Sequence, residues 1–252
     1  MCGMANLTQL RMLENLNGFL LVDKPAGIAF STVVKTIKRK FNLVKVGHGG
    51  SLDAAASGLL VLLINDANKF VGDVMGADRA YEGFARLGLA TNTHDIQGEA
   101  QAEDEAGALA LAEGEAWSAA CARVVPEFKG DIFQTESRWC SVRKEGSAAY
   151  ETADTGEHRP FMAHVYRLDV GEPSATQPVR FPFFVTGTKG LIVRTLVNDF
   201  GAALGCGACL DSLRRVRVGK FSVNDAVPFD ELLKTEIGDF ASCVLPLAEA
   251  LR

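Results

Sequence analysis

The sequence predicts an α+β protein with a central mixed, mostly antiparallel sheet flanked by helices. Apolar strand-like runs recur from one end of the 252 residues to the other. Only a few long helical patterns interrupt them, and they do not alternate one-to-one with the strands as a parallel βαβ series would. No internal repeat suggests a solenoid or propeller.

In chain order, residues 18–23 (GFLLVD) read as a buried strand stopped by the turn Lys24-Pro25-Ala26-Gly27. Ser31 reads as the N-cap of a helix reaching Phe41, with Val33, Val34, Ile37 and Phe41 on one side. A glycine-rich loop, residues 47–53 (GHGGSLD), leads into the longest apolar run, 58–64, expected as a buried strand. Residues 67–75 predict a helix and 79–89 a strand. Residues 92–98 are turn-rich, and the Ala-rich stretch 106–125 predicts a helix. Residues 130–143 suit a loop or short strands. Strands are expected at 163–170, 180–186 and 215–223, a helix at 193–204, and one or two closing helices over 229–252. Taken together, 1–252 reads as a single domain, with a core over 17–225, an acidic insertion and helix at 95–130, and a tail over 226–252.

Composition narrows the function. Apolar residues make up 48% and charged residues 23%, as in ordinary globular proteins. No apolar run approaches the ~20 residues that span a bilayer, and residues 1–16 lack a secretory core. Six scattered cysteines read as reduced thiols, which places the expected compartment inside the cell, cytoplasmic or mitochondrial. Cys206 and Cys209 form a lone CxxC with no second ligand pair, so packing is the preferred reading over zinc. The four histidines lack metal-ligand spacing, and no phosphate-binding glycine loop is present; neither metal nor organic cofactor is expected.

The net charge of −5 is unevenly spread. Seven acids (Asp95, Glu99, Glu103, Asp104, Glu105, Glu113, Glu115) fall in one stretch without Lys or Arg. Basic residues gather instead at Lys35, Lys38, Arg39, Lys40 and Lys45, and at Arg214, Arg215, Arg217 and Lys220. Two basic clusters around an acidic segment are compatible with an RNA groove, with the acidic stretch a surface feature facing away from RNA toward a protein partner.

The chemistry is expected in the glycine-rich loop. Asp53 follows it and precedes a buried strand, so its carboxylate is rigidly mounted at an exposed edge that glycines leave open to a substrate. Residues 47–58 (GHGGSLDAAASG) resemble the catalytic loop of TruB-type pseudouridine synthases. Residues 23–27 (DKPAG) are similar to that family's first motif, and Asp78-Arg79-Ala80-Tyr81 to the segment bearing its active-site tyrosine. Residues 190–196 (GLIVRTL) resemble the segment with its arginine, and 204–215 also match.

This resemblance implies the pseudouridine synthase fold and an RNA isomerase acting on a uridine, with tRNA and its T-loop expected first and rRNA second. It implies Asp53 as the catalytic carboxylate, adding to C6 of uracil or attacking C1′ of ribose. Arg194 would pair with Asp53, and Tyr81 would stack on the flipped uracil. His48 would sit where the nucleotide leaves the stack, with Lys24, Arg214 and Arg215 as RNA contacts. Each role has a plainer alternative: a turn aspartate, a core tyrosine, a surface arginine, a loop histidine bonded to backbone.

The chain also departs from the family pattern. Ala54-Ala55-Ala56-Ser57-Gly58 stands where Pro-Leu-Ala-Thr-Gly is usual, and Ile192 stands where a tyrosine is usual. Residues 134–144 (QTESRWCSVRK) align with a family segment QxPPxYSAxK but lack its prolines and tyrosine, with Trp139 in the aromatic region; Gly146 and Tyr150 fit the pattern that follows. The chain resembles the shorter members of the family without a C-terminal PUA-like domain. A TruB-like RNA-binding or ribosome-assembly factor that has lost turnover is the second reading, and an unrelated carboxylate-dependent hydrolase the third.

Overall fold

A computed structural model of the chain describes residues 13, 15–113, 115–135, 160–174 and 176–250. The divergent segment after Thr135, with Trp139, Gly146 and Tyr150, lies outside the described residues, as does most of 1–16. The chain divides into two compact units: Met1–Arg79 with Arg214–Arg252, and Ala80–Leu213.

The first unit is built on β1 (Gly18–Lys24), which pairs antiparallel with β3 (Ser57–Ile64) along its whole length. Short β2 (Val46–His48) lies on the other side of β3, and residues 214–215 of β10 (Ala208–Val218) pair parallel with its start. The near-continuous apolar character of β1 and β3 follows from burial on both faces. Leu20, Val22, Leu60, Leu62 and Ile64 face one core with α1 (Phe30–Lys40), through Val33 and Ile37. Phe19, Leu21, Leu59, Val61 and Leu63 face another with Val74 of α2 (Val71–Gly76) and Phe221 of β11 (Phe221–Ser222).

Some expected boundaries shift. α1 starts at Phe30 with Ala29 as an N-cap that makes no side-chain bond, so Ser31 lies inside the helix. The stretch 67–75 is a 3-10 turn (Asn65–Phe70) followed by α2. The region after 226 is not only helical. β12 (Val227–Pro228) adds to β1 in parallel and β13 (Val244–Pro246) adds antiparallel, with α6 (Phe229–Lys234) and α7 (Leu247–Ala250) beside them.

In the second unit the strand order is β10, β4 (Arg79–Leu87), β9 (Arg180–Gly187), β8 (Phe161–Val170), β7 (Gly130–Gln134). β5 (Leu89–Thr91) and β6 (Ala100–Glu103) form a separate small ribbon. Three helices, α3 (Glu105–Ala112), α4 (Glu115–Val124) and α5 (Val193–Leu204), share one apolar core with the sheet.

The stretch expected as an acidic insertion is therefore part of the core. Ala108, Trp117 and Val124 are buried in the same cluster as Tyr81, Phe181 and Phe200, and the Trp117 indole N–H donates to the Gly171 carbonyl at 3.1 Å. Glu99, Glu103, Asp104, Glu105, Glu113 and Glu115 remain on the surface, as expected, but Asp95 is buried. Among the described residues no helix is long and apolar enough to cross a membrane.

Candidate active site

Asp53 sits in the turn between β2 and β3, half-buried, between two side chains that anchor the turn: Leu52 and Ala56 are both buried. Main-chain bonds close the turn from several sides. Gly49 N–H donates to Val61 O at 2.8 Å, Gly27 N–H to Ala54 O at 2.7 Å, and Ala56 N–H to Asp53 O at 3.2 Å.

Three buried cations then grip the carbonyls of this turn. Arg215, 2% exposed, donates from Nε to Leu59 O (2.8 Å), from one Nη to Ser51 O (2.8 Å) and from the other to Gly50 O (3.4 Å). Arg79 donates to Gly49 O at 3.4 Å and to Met75 O and Ala77 O at 3.1 and 3.0 Å. Lys24 is fully buried, and its Nζ donates to Pro25 O (2.8 Å), Ile28 O (2.9 Å) and Ala54 O (3.3 Å). Burial pushes the Lys24 ammonium down to about 8; Asp53 opposes that shift and Arg215 adds to it. A buried charge is tolerated only when its donors are satisfied, and carbonyl oxygens satisfy these.

Glycine is required at two points of this arrangement. Gly50 has φ +131°, and a Cβ there would crowd the Arg79 guanidinium at 2.9 Å. Gly58 has φ +101°, and a Cβ would strike the main chain of Arg215 across the β3–β10 pair. The chain thus brings a rigid carboxylate turn and its cationic supports together through residues far apart in sequence.

The expected RNA contacts look different in this light. Lys24 and Arg215 are turned inward onto backbone carbonyls, because a turn with so many exposed carbonyl lone pairs needs donors more than solvent does. Both side chains support the Asp53 turn through these bonds. Arg214 is paired through two bonds, 2.9 and 2.7 Å, with Asp23 at the end of β1, and its side chain is about one-third exposed. His48 is half-buried: its Nδ1 accepts from Gly50 N–H at 3.4 Å and its ring lies 4.9 Å from that of Phe30. The backbone bond is the one that the plainer reading of a loop histidine anticipates.

Tyr81 and Arg194 belong to the second unit. Tyr81 is buried on β4 within the apolar cluster. Arg194 stands in the first turn of α5 and is no surface cation: an Nη donates to Thr93 O at 3.3 Å and meets Asp95 Oδ2 at 3.4 Å, both side chains being about nine-tenths buried. Asp95 is itself held by Thr93 Oγ1 (2.7 Å) and Gln97 N–H (3.0 Å). Burial lowers the neighbouring His94 below its usual range, with Asp199 pulling the other way. Asp95 is thus one counter-charge of Arg194.

Sequence reasoning missed Asp95, Gln134 and Arg79. The signal for Asp95 was present in Thr91-Asn92-Thr93, residues that fold back on an aspartate, but it was absorbed into the acidic count. Gln134 pairs its side-chain amide with the main chain of Ile192: Nε2 donates to Ile192 O and Oε1 accepts from Ile192 N–H, each at 3.0 Å. Ile192 is the N-cap residue of α5. Among the described residues no three His, Cys, Asp or Glu side chains converge as a metal site would need.

Residues 38–193 match the model of the TruB family pseudouridylate synthase N-terminal domain, and 194–252 match the tRNA pseudouridylate synthase B C-terminal domain. The chain is 34% identical over 227 residues to the tRNA pseudouridine synthase B of Methylobacillus flagellatus, covering 88% of this chain and 71% of that protein. Identity to the tRNA pseudouridine synthase B of Cupriavidus metallidurans is 38% over 225 residues, covering 87% and 68%. Among solved structures, a chain of an H/ACA RNP bound to a substrate RNA containing 2′-deoxyuridine has a similar fold, with a TM-score of 0.65 at 23% identity. It covers 96% of this chain, which spans 62% of that one.

Proposed function

The chain belongs to the TruB family of pseudouridylate synthases, and from that premise we propose that it isomerises a uridine of tRNA, in the T-loop, to pseudouridine with Asp53 as its catalytic carboxylate. The observation that carries the proposal is the mounting of Asp53. Arg215, Arg79 and Lys24 fix the carbonyls around it, so the carboxylate is presented without reorganisation when substrate arrives.

The isomerisation is redox-neutral. The C1′–N1 bond breaks, a C1′–C5 bond forms, C5 loses its proton and N1 gains one. Asp53 either adds to C6 or attacks C1′, and either route holds one fragment covalently while the uracil turns. Tyr81 is assigned to the uracil ring and Arg194 to the charge of the catalytic carboxylate, with His48 at the position where the nucleotide leaves the stack. Neither hydride nor external nucleophile enters this balance. The surface acids between Glu99 and Glu115 repel phosphate, which suits that surface to a protein partner rather than to RNA.

Pseudouridine formation on an unmodified tRNA transcript, compared with Asp53→Asn, tests the reading. Site-specific product from the native chain and none from the variant is expected. Tight RNA binding by both without product from either would overturn it in favour of a non-catalytic RNA-binding factor.

A further inference from the structure

Helix α1 has one covered side and one bare side. Val33 and Ile37 are buried against β1 and β3, whereas Lys35, Lys38 and Arg39 recur at helical spacing on the opposite side and are exposed. The helix contains no Asp or Glu. Lys45 is exposed immediately before β2. Among the described residues none of these four cations forms an ion pair. Lys40 differs: its Nζ donates to Leu233 O at 2.7 Å, at the end of α6.

Charge is also partitioned between the units. The first holds 15 Lys and Arg against 12 Asp and Glu, and the second 11 against 19. The basic surplus therefore lies in the unit that carries Asp53, within a chain whose net charge is −5.

The start of the helix lies beside the candidate active site. Phe30, the first residue of α1, lies against the His48 ring, and Lys45 precedes His48 by only three positions along the chain. From Phe30 to Arg39 the helix advances roughly 14 Å at about 1.5 Å per residue. Several consecutive phosphates of one nucleic-acid strand cover that span, since along a strand of duplex DNA they recur at about 3.4 Å of rise.

We propose that Lys35, Lys38 and Arg39 of α1, with Lys45, bind the sugar–phosphate backbone of the RNA on one side of the target nucleotide, without regard to base sequence. This rests on the reading of the chain as an RNA-modifying enzyme. Unpaired cations at helical spacing, with no acid among them, match a polyanion. The side lacks the interleaved apolar row that a helix docking onto protein would show. Because these side chains touch no reacting atom, they act on RNA capture and leave the chemical step alone.

The test uses the full chain with Lys35→Gln, Lys38→Gln, Arg39→Gln and Lys45→Gln combined, titrated with unmodified tRNA transcript between about 0.05 and 0.3 M salt. The slope of log affinity against log salt should fall by about 2 to 4, since each lost phosphate contact removes about 0.7 to 0.9. KM for the transcript should rise about tenfold or more at low salt, with kcat at saturating RNA unchanged. A second variant, Lys35→Arg, Lys38→Arg, Arg39→Lys and Lys45→Arg, keeps the charges and should keep the slope. An unchanged slope and KM in the glutamine variant would overturn the proposal, as would an equal loss in both variants. Failure of the enzymatic reading shows up separately, as absence of pseudouridine from the native chain whatever its salt slope.

Discussion

The side chain of Gln134 binds both main-chain groups of Ile192, two residues before Arg194. The pairing ties the end of β7 to the start of α5, whose first amides have no partner within the helix. An amide side chain used this way acts as a short length of strand, so the position of the Arg194 turn is set by a residue 58 places away.

Gln134→Ala should therefore expose the cost of an unpaired buried N–H and C=O. A loss of about 1–3 kcal/mol in stability is expected from denaturant unfolding. If the pairing also places Arg194 for catalysis, kcat for pseudouridine formation falls with KM for RNA little changed. Gln134→Glu, which sets a buried carboxylate oxygen against the Ile192 carbonyl, should cost at least as much as Gln134→Ala at neutral pH.

Asp95→Ala should be worse. It removes the Asp95 carboxylate from its buried pair with the Arg194 guanidinium, and breaking a buried pair in this way costs about 3–5 kcal/mol. Asp95→Ala combined with Arg194→Met removes both charges and should recover much of that stability in thermal unfolding, yet stay inactive. Recovery of activity in the double variant would exclude Arg194 from the reaction.

Lys24 gives a pH signature. In the unfolded chain its ammonium titrates near 10.5, and in the folded protein near 8. Between those values the unfolded state binds more protons, so stability rises with pH; the gain is complete above 10.5 and lost as pH falls through 8. The difference in unfolding free energy between the native chain and Lys24→Met should climb across that window, by at most about 1.4 kcal/mol per pH unit. A flat difference would mean that the amine is not buried as described.

Gly58→Ala should destabilise the first unit by more than about 1 kcal/mol, because the new Cβ meets main-chain atoms that cannot swing away and φ there is +101°. The urea midpoint reports it. Activity should fall with it, since Arg215, displaced by the same Cβ, holds the Asp53 turn.

Much of this architecture can be read from residues alone, for physical reasons that differ by element. β3 was legible because burial on both faces demands an unbroken apolar run. α5 was legible to the residue because Gly205, at φ +96°, ends it in the left-handed region that glycine favours. The start of β10 was not, since Ala208, Cys209 and Leu210 follow a glycine-rich turn and carry no alternation. The Asp53 turn stood out by its glycines. What supports it did not, because a sequence does not say which way a cation points: the carbonyl partners of Lys24 and Arg215 lie far away along the chain or across the turn. The core role of α3 and α4 was hidden behind their surface acids for the same reason.

The first unit is assembled from two stretches of chain separated by the whole of the second, and this orders events on the ribosome. Ser51 and Arg215 are 164 residues apart, and at about 5–20 residues per second the arginine emerges roughly 10–30 seconds after the serine. Until then the nascent chain carries Asp53 on a turn missing one of its three cationic grips, while residues 80–213 emerge as one contiguous stretch. A truncated product that stops short of Arg215 would carry Asp53 but lack the three Arg215 bonds that hold the carbonyls of Leu59, Ser51 and Gly50.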